Sequence, residues 1–285
     1  MSKENYINIP NELIYKEVYE SEILVYIGIA KRRLLFDKMM VVTSIFDLCE
    51  LSNYSTTDRR KGSFFSSIKF SLQRFRDMGL IEFGRNIQSV DDIRPQGLLQ
   101  INLTKKFDIE EKYTMITERE INSILNCKTY NSLSSILRTY LYVKSFMLID
   151  YNYPENAISA YYVARKIAAN TLKMSLPKYD RCLETLCDLG LLVCHQTGSY
   201  YTYHGIANAP NIYVLNNSDA SSNISGALSR LKYSLLDTRF GNHDTFMPMV
   251  CGQQKFEDVE TMRLREELRN EDWGDLDESS LFKEQ

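Results

Sequence analysis

One short pattern occurs twice in the chain and constrains its fold more than any other feature. Residues 71–81 read as the end of a helix, a glycine and the start of a strand. Residues 181–192 repeat that order, and Gly190 follows Gly79 by 111 residues. Apolar residues at helical spacing precede each glycine. A glycine just past a helix takes the left-handed conformation that ends the helix. The repeat predicts two copies of one small domain.

The elements around each glycine predict the same layout twice. Expected helices cover about residues 21–33, 44–51 and 63–78 in the first copy, and 132–148, 159–168 and 175–189 in the second. Expected strands cover residues 39–42, 81–83 and 98–103, and later 191–194 and 212–215. Helices followed by a strand, a long loop and a returning strand are typical of a winged helix. The predicted fold is mainly α with small β wings, an α+β class of two tandem winged helix-turn-helix domains.

The chain length allows about two domains, and the repeat sets their limits. We place one winged helix at residues 1–112 and the second at 113–216. Residues 217–285 are then a linker, one short helix from about Ile224 to Leu236, and a tail. From Gln253 to Gln285 there are 5 basic and 11 acidic residues, so the rest of the chain is mildly basic. The acidic, polar composition of the tail predicts disorder there.

Several classes of protein are disfavoured by what the sequence lacks. No apolar run reaches the ~18 residues of a membrane helix, and no signal-peptide core follows the N-terminus, so we expect a cytoplasmic protein without membrane contact. The chain has three histidines and six scattered cysteines, which match no usual zinc pattern. Phosphate-loop, dinucleotide and hydrolase motifs are absent. We therefore expect no enzyme activity, no cofactor and no metal.

A basic stretch marks the last expected helix of the first copy and the turn before it. Cations attract phosphates whatever the base sequence, and a helix-turn-helix inserts the N-terminal part of its second helix into the major groove. We expect Arg59, Arg60, Arg74 and the wing residue Arg85 to anchor phosphates, and base readout to come from the first turns after Lys61. The full set of predicted contacts is Arg59, Arg60, Lys61, Ser63, Ser66, Lys69, Phe70, Arg74 and Arg85. The alternative is a solvated basic face.

The equivalent helix of the second copy is less basic. Lys178, Tyr179 and Arg181 are expected on its exposed side, with Lys173 before it, while Asp180 and Glu184 weaken the field. Three interpretations stay open for this copy: it contacts DNA, it binds protein, including a second subunit of a homodimer, or it is only a solvated face. Four residues of its wing, which either contact DNA or pack on the core, are Tyr200, Tyr201, Tyr203 and His204.

The acidic tail carries large apolar residues, which plain solubilising tails rarely do. Trp273, Leu276, Leu281 and Phe282 resemble a short linear motif for binding another protein. The alternative is a plain tail that keeps the protein soluble. If the motif is used, the expected partners are host replication or transcription proteins.

The two glycine patterns also resemble a known group of proteins. The residues that carry the resemblance are Arg-Phe-Arg-Asp-Met-Gly-Leu-Ile at 74–81 and Glu-Thr-Leu-Cys-Asp-Leu-Gly-Leu-Leu at 184–192. This layout is similar to the tandem winged-helix replication initiators of plasmids and phages, and to the related N-terminal domains of DnaD-like proteins. The resemblance implies binding of double-stranded DNA at repeated origin sites and recruitment of host replication proteins. A transcriptional regulator and a winged-helix scaffold that never touches DNA remain as alternatives.

Overall fold

The computed structural model combines helices with short antiparallel strands. It describes residues 5–16, 21–36, 39–51, 63–84, 87–107, 112–129, 132–147, 158–202, 205–237 and 246–247. The mixed α+β class predicted from the sequence is confirmed. Within these ranges no helix is both long and apolar enough to cross a membrane.

The first half begins with a strand and a short helix and continues with one small α+β unit. Its elements are β1 (Tyr6–Pro10), α1 (Asn11–Tyr15), α2 (Glu22–Phe36), β2 (Met40–Thr43), α3 (Ile45–Leu51), α4 (Ser63–Asp77), β3 (Ile81–Phe83) and β4 (Leu99–Leu103). The last three strands form an antiparallel sheet in the order β2-β4-β3. Ser44 caps α3, because its hydroxyl accepts from the Asp47 amide and the Asp47 carboxylate accepts from the Ser44 amide, both at 3.0 Å.

A connector and a second unit follow. The elements are β5 (Tyr113–Thr117), α5 (Glu118–Leu125), α6 (Leu133–Met147), β6 (Ala160–Tyr161), α7 (Arg165–Thr171), α8 (Leu176–Asp188), β7 (Leu192–His195), β8 (Ser199–Thr202), β9 (Gly205–Asn208), β10 (Ile212–Leu215), α9 (Ala220–Asp237) and β11 (Phe246–Met247). The main sheet has the order β6-β10-β7, and the β8–β9 hairpin pairs with β11. Helix α9 packs on the second unit because Ile224, Ala227, Leu228 and Leu231 fall on one helical face against Ile212 and Val214.

The two units repeat one another element by element. Helices α2 and α6 begin and end 111 residues apart, and α3 and α7 are 120 residues apart at both ends. The two sheets share their strand order. They also share their register, since Ile81 faces Leu103 in the first and Leu192 faces Leu215 in the second. The fold therefore contains two copies of one supersecondary unit.

Both glycines of the repeated pattern end their helices in the same way. The φ angles of Gly79 and Gly190 are +69° and +66°. The amides after them reach back to the helix, with Leu80 N donating to Phe75 O at 2.8 Å and Leu191 N to Leu186 O at 3.1 Å. This is the Schellman hydrogen-bond pattern, which needs a left-handed residue at the glycine.

The core runs without interruption from one half to the other. One buried cluster includes Ile23 and Phe75 of the first unit together with Leu141 and Leu186 of the second. Strand β1 pairs with β5 in antiparallel register, and α1 packs on α2 and α6. The expected boundary between residues 112 and 113 therefore separates two strands that are hydrogen-bonded to each other.

Sequence reasoning misplaced one helix and overlooked several short elements. The helix expected from Ser159 is wrong: Ala160 and Tyr161 form β6, and α7 begins only at Arg165. Aromatic residues favour a pleated, half-buried strand when a partner strand is present, and Tyr161 pairs with Tyr213 of β10. Strands β1 and β5 were not expected either, because each is short and acquires its partner only in the folded chain.

Candidate nucleic-acid interface

Helix α4 presents only part of its predicted DNA contacts to solvent. Ser63 is its first residue, Ser66 is exposed, and the Phe70 side chain is 51% exposed. A hydroxyl and an aromatic ring on the N-terminal half of α4 suit contacts to phosphates and to thymine methyl groups. Four predicted contacts lie outside the described residues: Arg59, Arg60, Lys61 and Arg85.

The loop between β3 and β4 lies against the middle and the C-terminal end of α4. Lys69 donates from Nζ to the Asp91 carbonyl at 3.2 Å. Arg76 donates from Nη1 to the Gln88 carbonyl at 3.0 Å and sits 5.6 Å from the Phe83 ring centroid. Both cations thus hold the loop in place, although Arg76 is still exposed and each cation has more N–H donors than the one hydrogen bond uses.

Arg74 is not a phosphate anchor, which corrects the sequence-based assignment. Its side chain is only 20% exposed, and its Nε lies 3.3 Å from Oε2 of Glu22, whose side chain is 0% exposed. Its Nη2 donates to the Lys16 carbonyl at 2.6 Å. A buried carboxylate needs a counter-charge, and the position of Arg74 beside the start of α2 supplies one.

The second unit carries the more open cationic surface. We call it the α7–α8 surface and define it by Arg165, Lys166, Lys173, Lys178 and Arg181. Lys178 is half-buried and the other four are exposed. The carboxylate of Asp180 lies among these cations, with its Oδ2 3.1 Å from Nη1 of Arg165. Glu184 of α8 is exposed as well, so five cations face two carboxylates, and the apolar side chain of Ile167 beside Lys166 is 59% exposed.

The charge pattern at the start of α8 favours a bound anion. Lys178 lies in its first turn, and no acidic residue does. By contrast, α3 begins with Asp47 and α5 with Glu118 and Glu120. Cations oppose the helix dipole at an N-terminus, so helix stability does not explain their placement. Pro177 has no N–H, so the amides of Leu176 and Lys178 and the lysine ammonium are the groups at this helix start that suit a phosphate.

Lys173 occupies a strained position between α7 and α8. Its φ angle is +53°, and it is the only described non-glycine residue with a positive φ. Its amide donates to Asn170 O at 3.0 Å and the next amide, of Met174, to Ala169 O at 2.9 Å. This is the same helix ending that glycine makes at Gly79, and lysine there costs about 1 kcal/mol. Strain of this kind concentrates at functional sites.

Tyr179 is buried, which corrects its assignment as a surface contact. It is 0% exposed, and its hydroxyl lies 2.9 Å from that of Tyr161. Burial raises the pKa of both phenols, so both stay neutral. The sequence held the signal, because Tyr179, Cys182, Leu183 and Leu186 follow the i, i+3, i+4, i+7 spacing of a buried helical face.

Arg165 and Lys166 were missed by sequence reasoning. The expected helix from Ser159 placed them in its middle, whereas the observed α7 starts at Arg165 and puts both in its first turn. Lys173, Lys178 and Arg181 were predicted contacts, and they lie with these two on α7, α8 and the turn between them. Arg181 donates from Nε to the Pro177 carbonyl at 3.2 Å, which orients its guanidinium.

The other predicted groups take little part in the described site. The side chains of Tyr200 and Tyr201 are not described, and Tyr203 and His204 lie outside the described residues. The tail residues Trp273, Leu276, Leu281 and Phe282 also lie outside them. Across the described ranges, no group of three or more His, Cys, Asp or Glu side chains could hold a metal ion.

The chain was also compared with known proteins. No protein-family model, curated protein or solved structure matches it.

Proposed function

We propose that the chain binds double-stranded DNA through two tandem winged helices. What supports this is the element order α2-β2-α3-α4-β3-β4, with strand order β2-β4-β3, and its repetition in α6 to β10. In a winged helix the second helix of the helix-turn-helix pair enters the major groove. Helices α4 and α8 hold that place in the two units.

The α7–α8 surface carries the proposal. Arg165, Lys166, Lys173 and Arg181 are exposed around two helix starts and the turn between the helices. These cations neutralise phosphates on either side of the groove that α8 enters, and the α8 N-terminus directs Lys178 and its amides at the backbone. On the first unit, Ser66 and Phe70 add contacts without charge.

The two units in one chain determine the kind of site we propose. The replication initiators that the chain resembles bind repeated origin sites, whereas a regulator that binds as a twofold dimer reads a palindrome. A protein of this kind fits replication initiation at repeated sites of a plasmid, phage or other mobile element. The acidic tail, with Trp273 and Leu276, then recruits a host replication protein. A transcriptional regulator is the second candidate and predicts a palindromic target.

Selection from a pool of random duplexes tests the proposal. The full chain is incubated with the pool, and the bound fraction is sequenced over several rounds. We expect one enriched motif, longer than a single helix can read and without twofold symmetry. Enrichment of a palindrome points to the regulator, and no enrichment together with no retained DNA rejects DNA binding. A chain truncated after residue 250 should enrich the same motif, because the tail is assigned to protein contacts.

A further inference from the structure

The short segment Ile14–Lys16 is held by two arginines, one from α4 in the first half and one from α6 in the second. It comprises the end of α1 and the residue after it. The last carbonyl groups of a helix have no partner within the helix. Here two of them are taken by side chains that arrive from opposite sides.

The first arginine comes from α4. Arg74 donates from Nη2 to the Lys16 carbonyl at 2.6 Å, and its Nε lies 3.3 Å from Oε2 of the fully buried Glu22. Arg74 is three residues from the C-terminus of α4, near the glycine that ends the helix. The C-terminal end of the first unit's candidate recognition helix is therefore fastened to residue 16.

The second arginine comes from α6. Arg138 is 5% exposed, and its Nε donates to the Ile14 carbonyl at 2.8 Å. Its Nη1 donates to the carbonyl of Leu172 at 2.8 Å. Leu172 ends α7 immediately before the strained Lys173. One guanidinium thus connects the segment to the turn that carries the α7–α8 surface.

Tyr15 adds a third contact within the same segment. Its hydroxyl lies 2.7 Å from Oγ of Ser145, and its ring meets that of Tyr142 edge to face at 5.7 Å. Both partners lie on α6, so the segment cannot swing away from α6 while it remains attached to α4. The repeat offset of 111 residues places Ile27 of α2 where α6 has Arg138. The contact is thus a feature of the second unit and is not part of the repeated unit.

We infer that Arg74 and Arg138 are positioning residues, which hold Ile14–Lys16 as a link between α4 and the α7–α8 surface. The link fixes the orientation of one recognition helix relative to the other. Two DNA-contacting units held at one orientation bind a single continuous stretch of duplex with a higher affinity than either unit has alone. The benefit of this fixed orientation for DNA binding rests on the proposed function, whereas the contacts that form the link do not. Direct contacts between two sites couple them only if a mutation at one site changes a measurable property of the other.

Native-state hydrogen exchange on the full chain tests the link without DNA. Arg74→Met should speed exchange of the Lys173 and Met174 amides, in the other half, by about threefold or more. Arg138→Met should do the same to the Gly79 and Leu80 amides at the end of α4. The matched control is Arg76→Met, since Arg76 also lies on α4 and also donates to a carbonyl, but within its own half. The control should leave Lys173 and Met174 unchanged.

Faster hydrogen exchange only in the half that carries the mutation would contradict the inferred link. If either methionine variant fails to fold, Arg74→Lys and Arg138→Lys replace them. Each keeps the charge but reaches one acceptor instead of two, so exchange across the link should rise by a smaller factor than with methionine. A lysine variant that matches wild-type exchange in the opposite half would equally contradict the inference.

Affinity for duplexes of increasing length tests the purpose. The affinity of the wild-type chain should rise about tenfold once the duplex is long enough to contact both units. Arg138→Met should not show this rise in affinity, but it should bind the shortest duplex with the affinity of the wild-type chain. If Arg138→Met keeps the gain although exchange shows the link broken, the positioning role is wrong. If wild type binds no duplex, the proposed function fails, and the exchange experiment still decides whether the link exists.

Discussion

At the scale of single residues, buried charge in the described parts of the chain serves contacts between elements. The carboxylate of Glu120 accepts two hydrogen bonds from the Lys144 ammonium at 2.7 Å and a third from the Tyr140 hydroxyl. It also caps its own helix by accepting from the Thr117 amide at 2.7 Å. The carboxylate oxygens of Glu120, which burial largely removes from water, therefore accept hydrogen bonds from the protein, as a buried charge requires.

Acid stability should depend on Glu120. Burial alone would raise its pKa, but the Lys144 charge and the hydrogen bonds from Lys144, Thr117 and Tyr140 lower the pKa below the ordinary 4.5. A carboxyl whose folded-state pKa is depressed stabilises the fold above the unfolded-state value and loses that contribution as the pH falls through the folded-state value. Glu120→Gln should cost about 3 kcal/mol at pH 7 and flatten the loss of stability below pH 4.5.

Urea unfolding at pH 7 and at a series of acidic pH values measures this effect. The control is Glu118→Gln, since Glu118 is exposed in the same first turn of α5. It should change stability by less than about 0.5 kcal/mol. An acid limb that is as steep in Glu120→Gln as in wild type would show that another group controls it.

Lys173 links backbone strain to the candidate site. Lys173→Gly relieves a left-handed lysine at φ +53°, so we expect stability to rise by about 1 kcal/mol. If the side chain contacts a phosphate, the same change should weaken binding of any duplex and lower the salt slope by about 0.9. Thermal unfolding and binding titrations on the same sample measure both. Higher stability with unchanged DNA affinity would remove Lys173 from the site.

At the scale of elements, the repeated glycine pattern was the most predictive part of the sequence. Spacing and a glycine are local signals, so the ends of α4 and α8 and the strands after them could be foreseen. Strands β1 and β5 could not, because each becomes a strand only by pairing with a partner about 100 residues away. The misplaced start of α7 had the same cause, since β6 depends on β10. That error concealed Arg165 and Lys166, half of the exposed cations now assigned to the site.

The two glycine helix endings should respond equally to alanine. A Cβ added at Gly79 meets nothing within 4 Å, and one at Gly190 meets only Nδ2 of Asn216, at 3.6 Å. The cost is therefore conformational and about 1 kcal/mol for each of Gly79→Ala and Gly190→Ala. Gly79→Asn and Gly190→Asn are the controls, because asparagine tolerates the left-handed region and should recover part of the stability. Chemical denaturation measures all four variants, and a cost at only one glycine would argue against equivalent endings.

At the scale of the whole molecule, duplication gives two similar units with different surfaces. In the first, Lys69, Arg74 and Arg76 contact the chain's own carbonyls or a buried carboxylate. In the second, the equivalent region leaves Lys166, Lys173 and Arg181 exposed. Arg181 also donates to a carbonyl of its own chain, that of Pro177, but Lys166 and Lys173 are exposed cations that sequence reasoning alone did not single out as the main contacts. We therefore propose the main phosphate contacts on the second unit.

The salt dependence of duplex binding tests this central claim most directly. We compare wild type with Lys166→Ala/Lys173→Ala/Arg181→Ala, and with the control Lys105→Ala/Lys112→Ala/Lys128→Ala, which removes the same charge from exposed lysines elsewhere. The account predicts that the slope of log K against log salt falls by about 0.9 for each phosphate that is no longer neutralised, and so by close to three in the first variant. The control should keep the wild-type slope. A wild-type chain without salt-dependent binding, or a first variant with the same slope as the control, would contradict the account.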